Sequence, residues 1–408
     1  MRHWFAVLPL LSLAACGGAS GPESVGSIAP PAGNSGGSGG GVTPAPTPTP
    51  TPPATGGTGG GVTPTNPATP TPTPTPGHFL SLSTAKSFDA IGGFQSLQVD
   101  EATNAVLYQG NASTVRAPSG QVTYDPRDGT FTINFVDTKA GVNVANMRYQ
   151  DPVHRTEPVG LAGPEYGVPA LEGFNYLQAV GGSSSADVSD RVTFFYQRPG
   201  SSTYYVSLGG YVHNIFTNPD LESAATSTST YERGAFVFGD QTLRSQIPVS
   251  GTGTYTGGMI ASMITGNENF QWIGSGRSEL TFDFSKSTMA ILLTGRLDAA
   301  STKGIPINDA TLLFPSGSEF RATGSGTIDL VRTGGFTGGF DSVTFTNGTT
   351  QTVVYDRVNP DTNIAGANSI DGAFFGPNAV NAGGNFRIIG GVPNQRVDIL
   401  GAFTGAKQ

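Results

Sequence analysis

Apolar and polar residues alternate along much of the chain after residue 78, with the period of two that half-buried antiparallel strands show. In the segment 130–136 (TFTINFV), for example, Phe131, Ile133 and Phe135 are separated by Thr and Asn. No apolar period of 3.6 residues continues beyond about two helical turns. The pattern therefore predicts an all-β fold, with strands at 130–136, 191–197, 203–209, 235–238, 279–284, 289–297, 327–331, 341–345, 352–355, 386–389 and 397–403.

The spacing of these strands changes near residues 246–248 (QIP). After this point the strands follow one another every ~8–12 residues with glycines between them, which is typical of an up-and-down barrel or a sandwich. Before it the strands are sparser and longer loops separate them. We predict a looser β-rich domain at 78–247, followed by a closed antiparallel barrel of about eight strands at 248–408.

The segment 370–390 (IDGAFFGPNAVNAGGNFRIIG) has the pattern of two strands with an interruption between them. The Gly-Pro pair at 376–377 is expected to end the first strand, because proline has no N–H and restricts the residue before it. The small residues of 378–382 are expected to lie across one mouth of the barrel. The Gly-Gly pair at 383–384 is expected to adopt positive φ and reverse the chain into the next strand.

The first fifteen residues have the features of a bacterial signal peptide. Arg2 is followed by an apolar run, 4–15, that is too short to span a bilayer. Small residues directly precede Cys16, which is the only cysteine in the chain. This arrangement resembles the lipobox of bacterial lipoproteins, although an ordinary signal peptide next to a chance cysteine is the alternative. The resemblance implies cleavage before Cys16 and a lipid on Cys16 that anchors the protein stably in a membrane.

Two features extend this prediction of a lipid anchor. Gly17 follows the cysteine, where an aspartate would resemble an inner-membrane retention signal, so the outer membrane is the expected location. With Cys16 acylated, no thiol remains, which excludes disulfides, thiolate metal sites and cysteine nucleophiles from the mature chain.

Residues 16–77 are predicted to be a disordered tether. They carry a single charge, Glu23, and repeat the hexapeptide GGGVTP at 39–44 and 59–64. Glycine-rich parts are flexible and Pro-Thr alternation favours polyproline II, so the segment can place a domain roughly 100–200 Å from the membrane. A tether of this reach favours display at the cell surface.

The charges and titratable residues argue against several classes of function. The formal net charge is −8 and no basic stripe is present, so nucleic-acid binding is not predicted. The histidines of the mature chain, His78, His154 and His213, are isolated and lack metal-ligand spacing. His154 and His213 on neighbouring loops would be an alternative ligand pair for haem or iron; polar surface is the other interpretation.

Nothing in the sequence predicts catalysis. The serine-hydrolase motif G-x-S-x-G is absent from the predicted folded part, residues 78–408. The pairs Gly251/Gly253 and Gly274/Gly276 resemble glycine cradles, but neither completes a phosphate-binding motif, and we predict that they are hairpin glycines. We therefore predict a protein that is not an enzyme and has no cofactor.

Aromatic residues form the most binding-like feature of the sequence. A hairpin through 198–200 (RPG) would place Phe194 and Tyr196 beside Tyr204 and Tyr205. Tyrosine-rich surfaces are common at protein interfaces, so these four residues are the candidate ligand-binding residues. Strand alternation offers the alternative that half of the rings lie in the core.

Several segments in the second half of the chain carry a family resemblance. Residues 372–379 (GAFFGPNA) and 383–386 (GGNF) resemble the C-terminal barrel signature of transferrin-binding protein B and related bacterial surface lipoproteins. The segments 234–242 (GAFVFGDQT), 247–258 (IPVSGTGTYTGG) and 397–408 (VDILGAFTGAKQ) are similar to the entry and the closing strand of that barrel.

The resemblance implies one handle-plus-barrel lobe, with 78–247 as the handle-like domain. It further implies a surface lipoprotein that binds an extracellular ligand: a protein, an iron-bearing ligand or haem. The family often has Glu at the position of Asn381, so a polar contact of that carboxylate is expected to be missing. Transferrin-binding protein B has two lobes, whereas this chain has room for one. The alternative function is a structural or assembly lipoprotein that faces the periplasm and captures no ligand.

Overall fold

A computed structural model of the protein describes residues 78–101, 103, 105–109, 120–137, 142–150, 167–180, 188–198, 202–217, 227–266, 269–302, 305–308, 312–331, 334–358, 368–392 and 395–408. All of them belong to one compact unit, Pro72–Gln408. The predicted signal peptide, the lipidated Cys16 and the tether lie outside the described residues. Among the residues described, none forms a helix with the length and hydropathy that crossing a bilayer requires.

The first sheet is antiparallel, and eight of its strands follow one path, β5-β4-β3-β1-β9-β8-β7-β6, with β2 paired to β1. It curves until it is nearly closed. Its strands are β1 (Lys86–Asp100), β2 (Ala105–Gln109), β3 (Gly120–Asp125), β4 (Thr130–Asp137), β5 (Val142–Gln150), β6 (Phe174–Val180), β7 (Val188–Gln197), β8 (Val206–Thr217) and β9 (Thr228–Gly239).

The second sheet closes into an eight-stranded barrel because β10 pairs with both β20 and β11. Consecutive barrel strands are neighbours, so the topology is up-and-down. The strands are β10 (Thr252–Thr265), β11 (Asn269–Asp283), β12 (Thr288–Leu297), β13 (Ser301–Thr302), β14 (Ile305–Pro306), β15 (Glu319–Asp329), β16 (Gly335–Asn347), β17 (Thr350–Asp356), β18 (Ser369–Phe375), β19 (Asn381–Val392) and β20 (Gln395–Lys407). Of these, β13, β14 and β17 pair only at the margin of the barrel. The predicted fold class is confirmed.

The two sheets share an apolar interface. Each has its own core, and a third apolar cluster joins Phe195, Leu208 and Val237 of the first sheet to Ile260 and Trp272 of the barrel. Strands β1, β8 and β9 are consequently buried on both faces over most of their length. Such strands lose the alternation of apolar and polar residues, since neither face meets water.

The break between the sheets falls between Gly239 and Thr252, where a short 3-10 helix, Arg244–Gln246, connects β9 to β10. The predicted boundary at 247/248 lies in this connection. Because both sheets belong to one compact unit, the division into domains 78–247 and 248–408 stays a prediction.

The interruption at 376–384 differs in part from its prediction. Gly376-Pro377 does end β18, and a 3-10 helix, Pro377–Ala379, follows it. Ala379 and Ala382 pack into the barrel core, as expected for a segment that covers the barrel mouth. The expected positive φ at 383–384 is wrong, because both glycines lie within β19. The chain reverses earlier, through positive φ at Gly376, Asn378 and Ala379.

Candidate functional site: a cleft at the junction of the two sheets

The four aromatic residues predicted to bind a ligand do not form one surface. Strand β8 begins only at Val206, so Phe194 lies opposite Tyr211 and not beside Tyr204 or Tyr205, which makes the predicted hairpin pairing wrong. The rings of Phe194 and Tyr196 are buried in the core of the first sheet. Tyr204 and Tyr205 lie before β8 and are half-buried. Only these two retain surface that a ligand can reach.

His213 does not lie on a loop, as the alternative of a haem or iron ligand pair with His154 requires. His213 lies within β8 with 1% of its surface exposed. Its Nδ1 is 2.8 Å from Glu232 Oε2 and its Nε2 is 2.6 Å from Asp190 Oδ1. Burial alone would lower the pKa of His213, but the hydrogen bonds and charges of the two carboxylates raise that pKa to about 9. Both ring nitrogens are therefore occupied by an ion-pair triad; His154 lies outside the described residues.

The glycine pair at 274 and 276 was predicted to sit in a hairpin, and this is wrong. Gly274, Ser275 and Gly276 lie in the middle of β11, where that strand carries one extra residue relative to both neighbours. Ser275 occupies the bulge with φ 48° and is exposed. Positive φ at a residue other than glycine costs about 1–3 kcal/mol and is concentrated at functional sites.

The bulge reverses the side of β11 that faces the barrel interior. Ile273 points into the barrel core before it, and Leu280 and Phe282 point there after it, although their residue numbers differ in parity. A one-residue shift exchanges the faces of a strand, as it does here. The result is that Ser275 and Arg277 project from the barrel wall beside the first sheet, where the cleft described next is located.

A cleft of about 330 Å³ lies between this bulge and the strands β6 to β8. Its floor is apolar and comes from both sheets: Leu171, Phe174 and Leu208 from the first, and Met259 and Ile260 from the barrel. A small pocket with an apolar floor and a few polar groups at its margin is the usual form of a binding site for a small molecule. This cleft is the candidate functional site.

The polar margin of the cleft contains groups without partners. Glu172 and Arg277 are exposed, and in the part of the chain that the structure describes neither forms an ion pair. Gln197 contributes a buried Oε1 that accepts no hydrogen bond there. The first sheet thus supplies acceptors, Glu172 and Gln197, whereas the barrel supplies a donor, Arg277.

The carboxyl group of Asp298 lies next to the bulge of β11. A Cβ atom added at Gly274 would be 3.3 Å from Asp298 Oδ2 and 3.5 Å from Leu171 Cδ2, so the carboxyl group adjoins the same wall. Burial raises the pKa of Asp298 to about 6. Trp272 Nε1 donates to Gly167 O at 2.8 Å, and this bond fixes the segment before β6 against the barrel. The segment that contributes Leu171 and Glu172 to the cleft is therefore bonded to the barrel.

The motif that carries the family resemblance lies at another part of the junction, where it joins the two sheets. Gly376 N donates to Asp240 O at 2.8 Å, and Thr242 N donates to Phe374 O at 2.8 Å. Asn381 Oδ1 accepts the N–H of Tyr205 at 3.0 Å. Asn381 thus makes a polar contact across the junction, and the absence of the contact that the family's glutamate would make stays a prediction. We call this set of bonds the latch.

Metal binding was not predicted, and within the described ranges no group of three or more His, Cys, Asp or Glu residues has the geometry of a metal site. Sequence reasoning missed the cleft because its residues come from strands far apart in the chain. The one local signal was the change of apolar parity across Gly274-Ser275-Gly276, which a bulge and a turn both produce.

Comparison with known proteins gives similarity in structure only. No family model matches the chain, and no curated protein matches it in sequence. Transferrin binding protein B from Haemophilus parasuis, crystallised with one tryptophan replaced by alanine, is 14% identical to this chain with a TM-score of 0.30. The match covers 80% of this chain and 77% of that one.

Two further structures are similar to the chain. Transferrin binding protein B from Neisseria meningitidis is 10% identical with a TM-score of 0.25, over 80% of this chain and 77% of that one. The N-lobe of lactoferrin binding protein B from Moraxella bovis is 12% identical with a TM-score of 0.25, over 53% of this chain and 79% of that one. Transferrin binding protein B is also the protein whose barrel motifs the sequence resembles. At such identities the similarity concerns the fold alone.

Proposed function

We propose that this chain is a lipid-anchored outer-membrane protein that binds an extracellular ligand through its β domain. The observation that carries the proposal is the cleft, where a buried apolar floor meets two exposed charges, Glu172 and Arg277, that form no ion pair within the described residues. The lipobox-like sequence before Cys16 and the tether, which has a single charge, supply the anchor and the reach in this proposal. The barrel motifs add the expectation of a protein ligand, or of one bearing iron or haem.

The part of the protein that contacts a protein partner is proposed to be the exposed surface of residues 78–247. Of the four aromatic candidates, Tyr205 is also a member of the latch, because its N–H bonds to Asn381. Tyr204, half-buried beside it, is the aromatic ring left for such a contact. The closed barrel, with its own core, serves as the platform.

Two experiments on cells test the anchor and the orientation. The Cys16→Ala protein should leave the membrane fraction and lose its acyl label; a mutant that still sediments with outer membranes and retains the label would refute the anchor. Protease added to intact cells should then degrade the folded part of the wild-type protein. Protection until the outer membrane is permeabilised would favour the alternative of a periplasm-facing structural or assembly lipoprotein.

A further inference from the structure

We infer that the cleft binds a small zwitterion with an apolar side chain, of the size and chemistry of a free apolar amino acid. This ligand is additional to the proposed protein partner. The inference does not depend on the location of the protein, because it concerns only groups within the described residues. The inference rests on the same cleft that supports the proposed function, but the two can fail separately: a lack of zwitterion binding leaves the results of Cys16→Ala fractionation and of protease treatment unchanged.

The arrangement of charge at the cleft selects a dipolar ligand. Glu172 and the buried Oε1 of Gln197 are acceptors on the side of the first sheet, and they suit an ammonium group. Arg277 is a donor on the barrel side, and its guanidinium matches a carboxylate. A ligand with only a carboxylate would leave Glu172 and Gln197 unmatched, and one with only an ammonium group would leave Arg277 unmatched. Discrimination of this kind comes as much from the mismatched group as from the matched one.

The apolar floor and the volume of the cleft indicate the polarity of the ligand's side chain and the size of the ligand. Leu171, Phe174, Leu208 and Ile260 present hydrocarbon to the cleft, whereas the side chain of Met259 belongs to the barrel core behind it. A volume of about 330 Å³ lies at the lower end of the range for small-molecule pockets. An amino acid or a dipeptide suits this space, whereas larger ligands such as haem do not.

The bulge explains how such a site arises in a barrel wall. An unbroken β11 would place the residue at 275 in register with its neighbours and close the wall. The extra residue instead turns Ser275 outward with φ 48° and gives Arg277 its position at the margin. Bulges commonly redirect a side chain beside a binding site, and the backbone strain at Ser275 is consistent with that use.

Calorimetric titration of the mature chain carrying Cys16→Ala tests the inference with L-phenylalanine and L-leucine as probes. We expect both to bind, and we expect phenylpropionate and phenethylamine, which lack the ammonium and the carboxylate respectively, to bind about tenfold more weakly or not at all. Phenylalanyl-phenylalanine distinguishes a free amino acid from a dipeptide as the preferred form of the same chemistry. Equal binding of either single-charge analogue would overturn the inference, as would an absence of binding by all the zwitterions.

Variants locate the binding in the cleft. Arg277→Gln and Glu172→Gln should each weaken binding of L-phenylalanine about tenfold or more. Arg321→Gln, an exposed arginine on β15 of the same barrel, is the matched control and should leave binding unchanged. Unaltered binding in Arg277→Gln would place any bound amino acid elsewhere and overturn the assignment.

A variant that fills the cleft gives a second, independent test. A Cβ atom at Gly258 would have Gly276 O, at 3.9 Å, as its nearest neighbour, so a side chain there enters open space. Gly258→Val should therefore keep the melting temperature of the parent and abolish binding. If the variant folds and still binds as the parent does, the cleft is not the site; if it fails to fold, the Arg277→Gln result decides.

Discussion

At the scale of single residues, Gly384 shows why the segment after the barrel mouth requires glycine. A Cβ atom there would lie 2.2 Å from Asp371 O and 2.7 Å from Gly372 Cα, both in the backbone of the neighbouring strand. Gly384→Ala should lower the free energy of unfolding by about 2–3 kcal/mol, since β18 and β19 must separate to admit the methyl group. Urea unfolding followed by fluorescence measures this difference.

Gly383 supplies the matched control one position earlier on β19. Its nearest contact for an added Cβ atom is Phe403 O at 3.2 Å, which is tight but leaves room for a small adjustment. Gly383→Ala should cost less than about 1 kcal/mol. Equal losses for the two variants would show that backbone conformation, and not the close approach of β18, sets the requirement for glycine.

The buried carboxyl group of Asp298 should make the stability of the protein depend on pH. Burial raises the pKa of its carboxyl group from 3.8 to about 6 in the folded protein, so the folded state binds the proton more tightly than the unfolded state. The contribution of this group to stability is therefore greatest below pH 4 and falls as the pH rises through 6. Asp298→Asn should match the wild type near pH 4 and exceed its free energy of unfolding by about 1–3 kcal/mol at pH 7.5.

Asp283 serves as the control for this pH dependence. The Asp283 side chain is half-buried, and its pKa is lowered, chiefly by a hydrogen bond from Lys286, so its effect on stability has the opposite sign. Asp283→Asn should gain no stability between pH 4 and pH 7.5. Unfolding curves of the wild type, Asp298→Asn and Asp283→Asn at pH 4 and pH 7.5 measure these differences in stability. A gain in stability shared by both variants would contradict the assignment to Asp298.

At the scale of elements, the latch links the end of the first sheet to strand β19 through one buried side chain. Asn381 is 2% exposed and accepts the Tyr205 N–H, while its Nδ2 donates to Val380 O. Asn381→Ala should destabilise the protein by about 1–2 kcal/mol, because it leaves the part-buried N–H of Tyr205 without its acceptor.

Asn385, four residues along the same strand, is a control of the same residue type. It is fully buried, yet within the described structure neither its Oδ1 nor its Nδ2 has a hydrogen-bond partner. Asn385→Ala removes no hydrogen bond and should cost less than Asn381→Ala in thermal melts of the two variants. The reverse order would show that the latch bond contributes little to stability.

The elements also show which parts of the fold the sequence could predict. Strand β15 alternates buried and exposed residues along its length, since one face meets the barrel core and the other meets water. Such strands are visible in the sequence, and they made the barrel predictable. Strands β1 and β8 are buried on both faces, so alternation does not mark them: no strand was predicted at 86–100, and the start of β8 was placed three residues too early.

The candidate site was less predictable than the fold for a related reason. A bulge is defined by pairing with two neighbouring strands, so Gly274-Ser275-Gly276 cannot be distinguished from a turn by local signals alone. Glu172 and Arg277 are 105 positions apart, and only the packing of the first sheet on the barrel brings them to one cleft. The aromatic residues, by contrast, form a conspicuous local pattern in the sequence, but two of them, Phe194 and Tyr196, are core residues.

At the scale of the whole molecule, the two sheets should differ in their ability to fold alone. The barrel closes on itself and encloses a core that includes Tyr255, Phe282, Phe336 and Phe386. The first sheet packs one of its faces, through Phe195, Val206, Leu208 and others, against the barrel, and it would expose that face without its partner. Exposed apolar patches larger than a few hundred Å² lead to association.

Without the first sheet the barrel also exposes an apolar face, at Ile260 and Trp272, but its own core stays closed. We therefore expect a fragment of residues 248–408 to unfold cooperatively, and a fragment of 78–247 to aggregate or to lack cooperative unfolding. Co-expression of the two should restore the first sheet, because the apolar interface and the latch re-form between them. Size-exclusion chromatography and thermal melts of each fragment and of the co-expressed pair measure this. A 78–247 fragment that is monomeric and melts as sharply alone as with the barrel would show that the interface is dispensable, and that the first sheet is a domain in its own right.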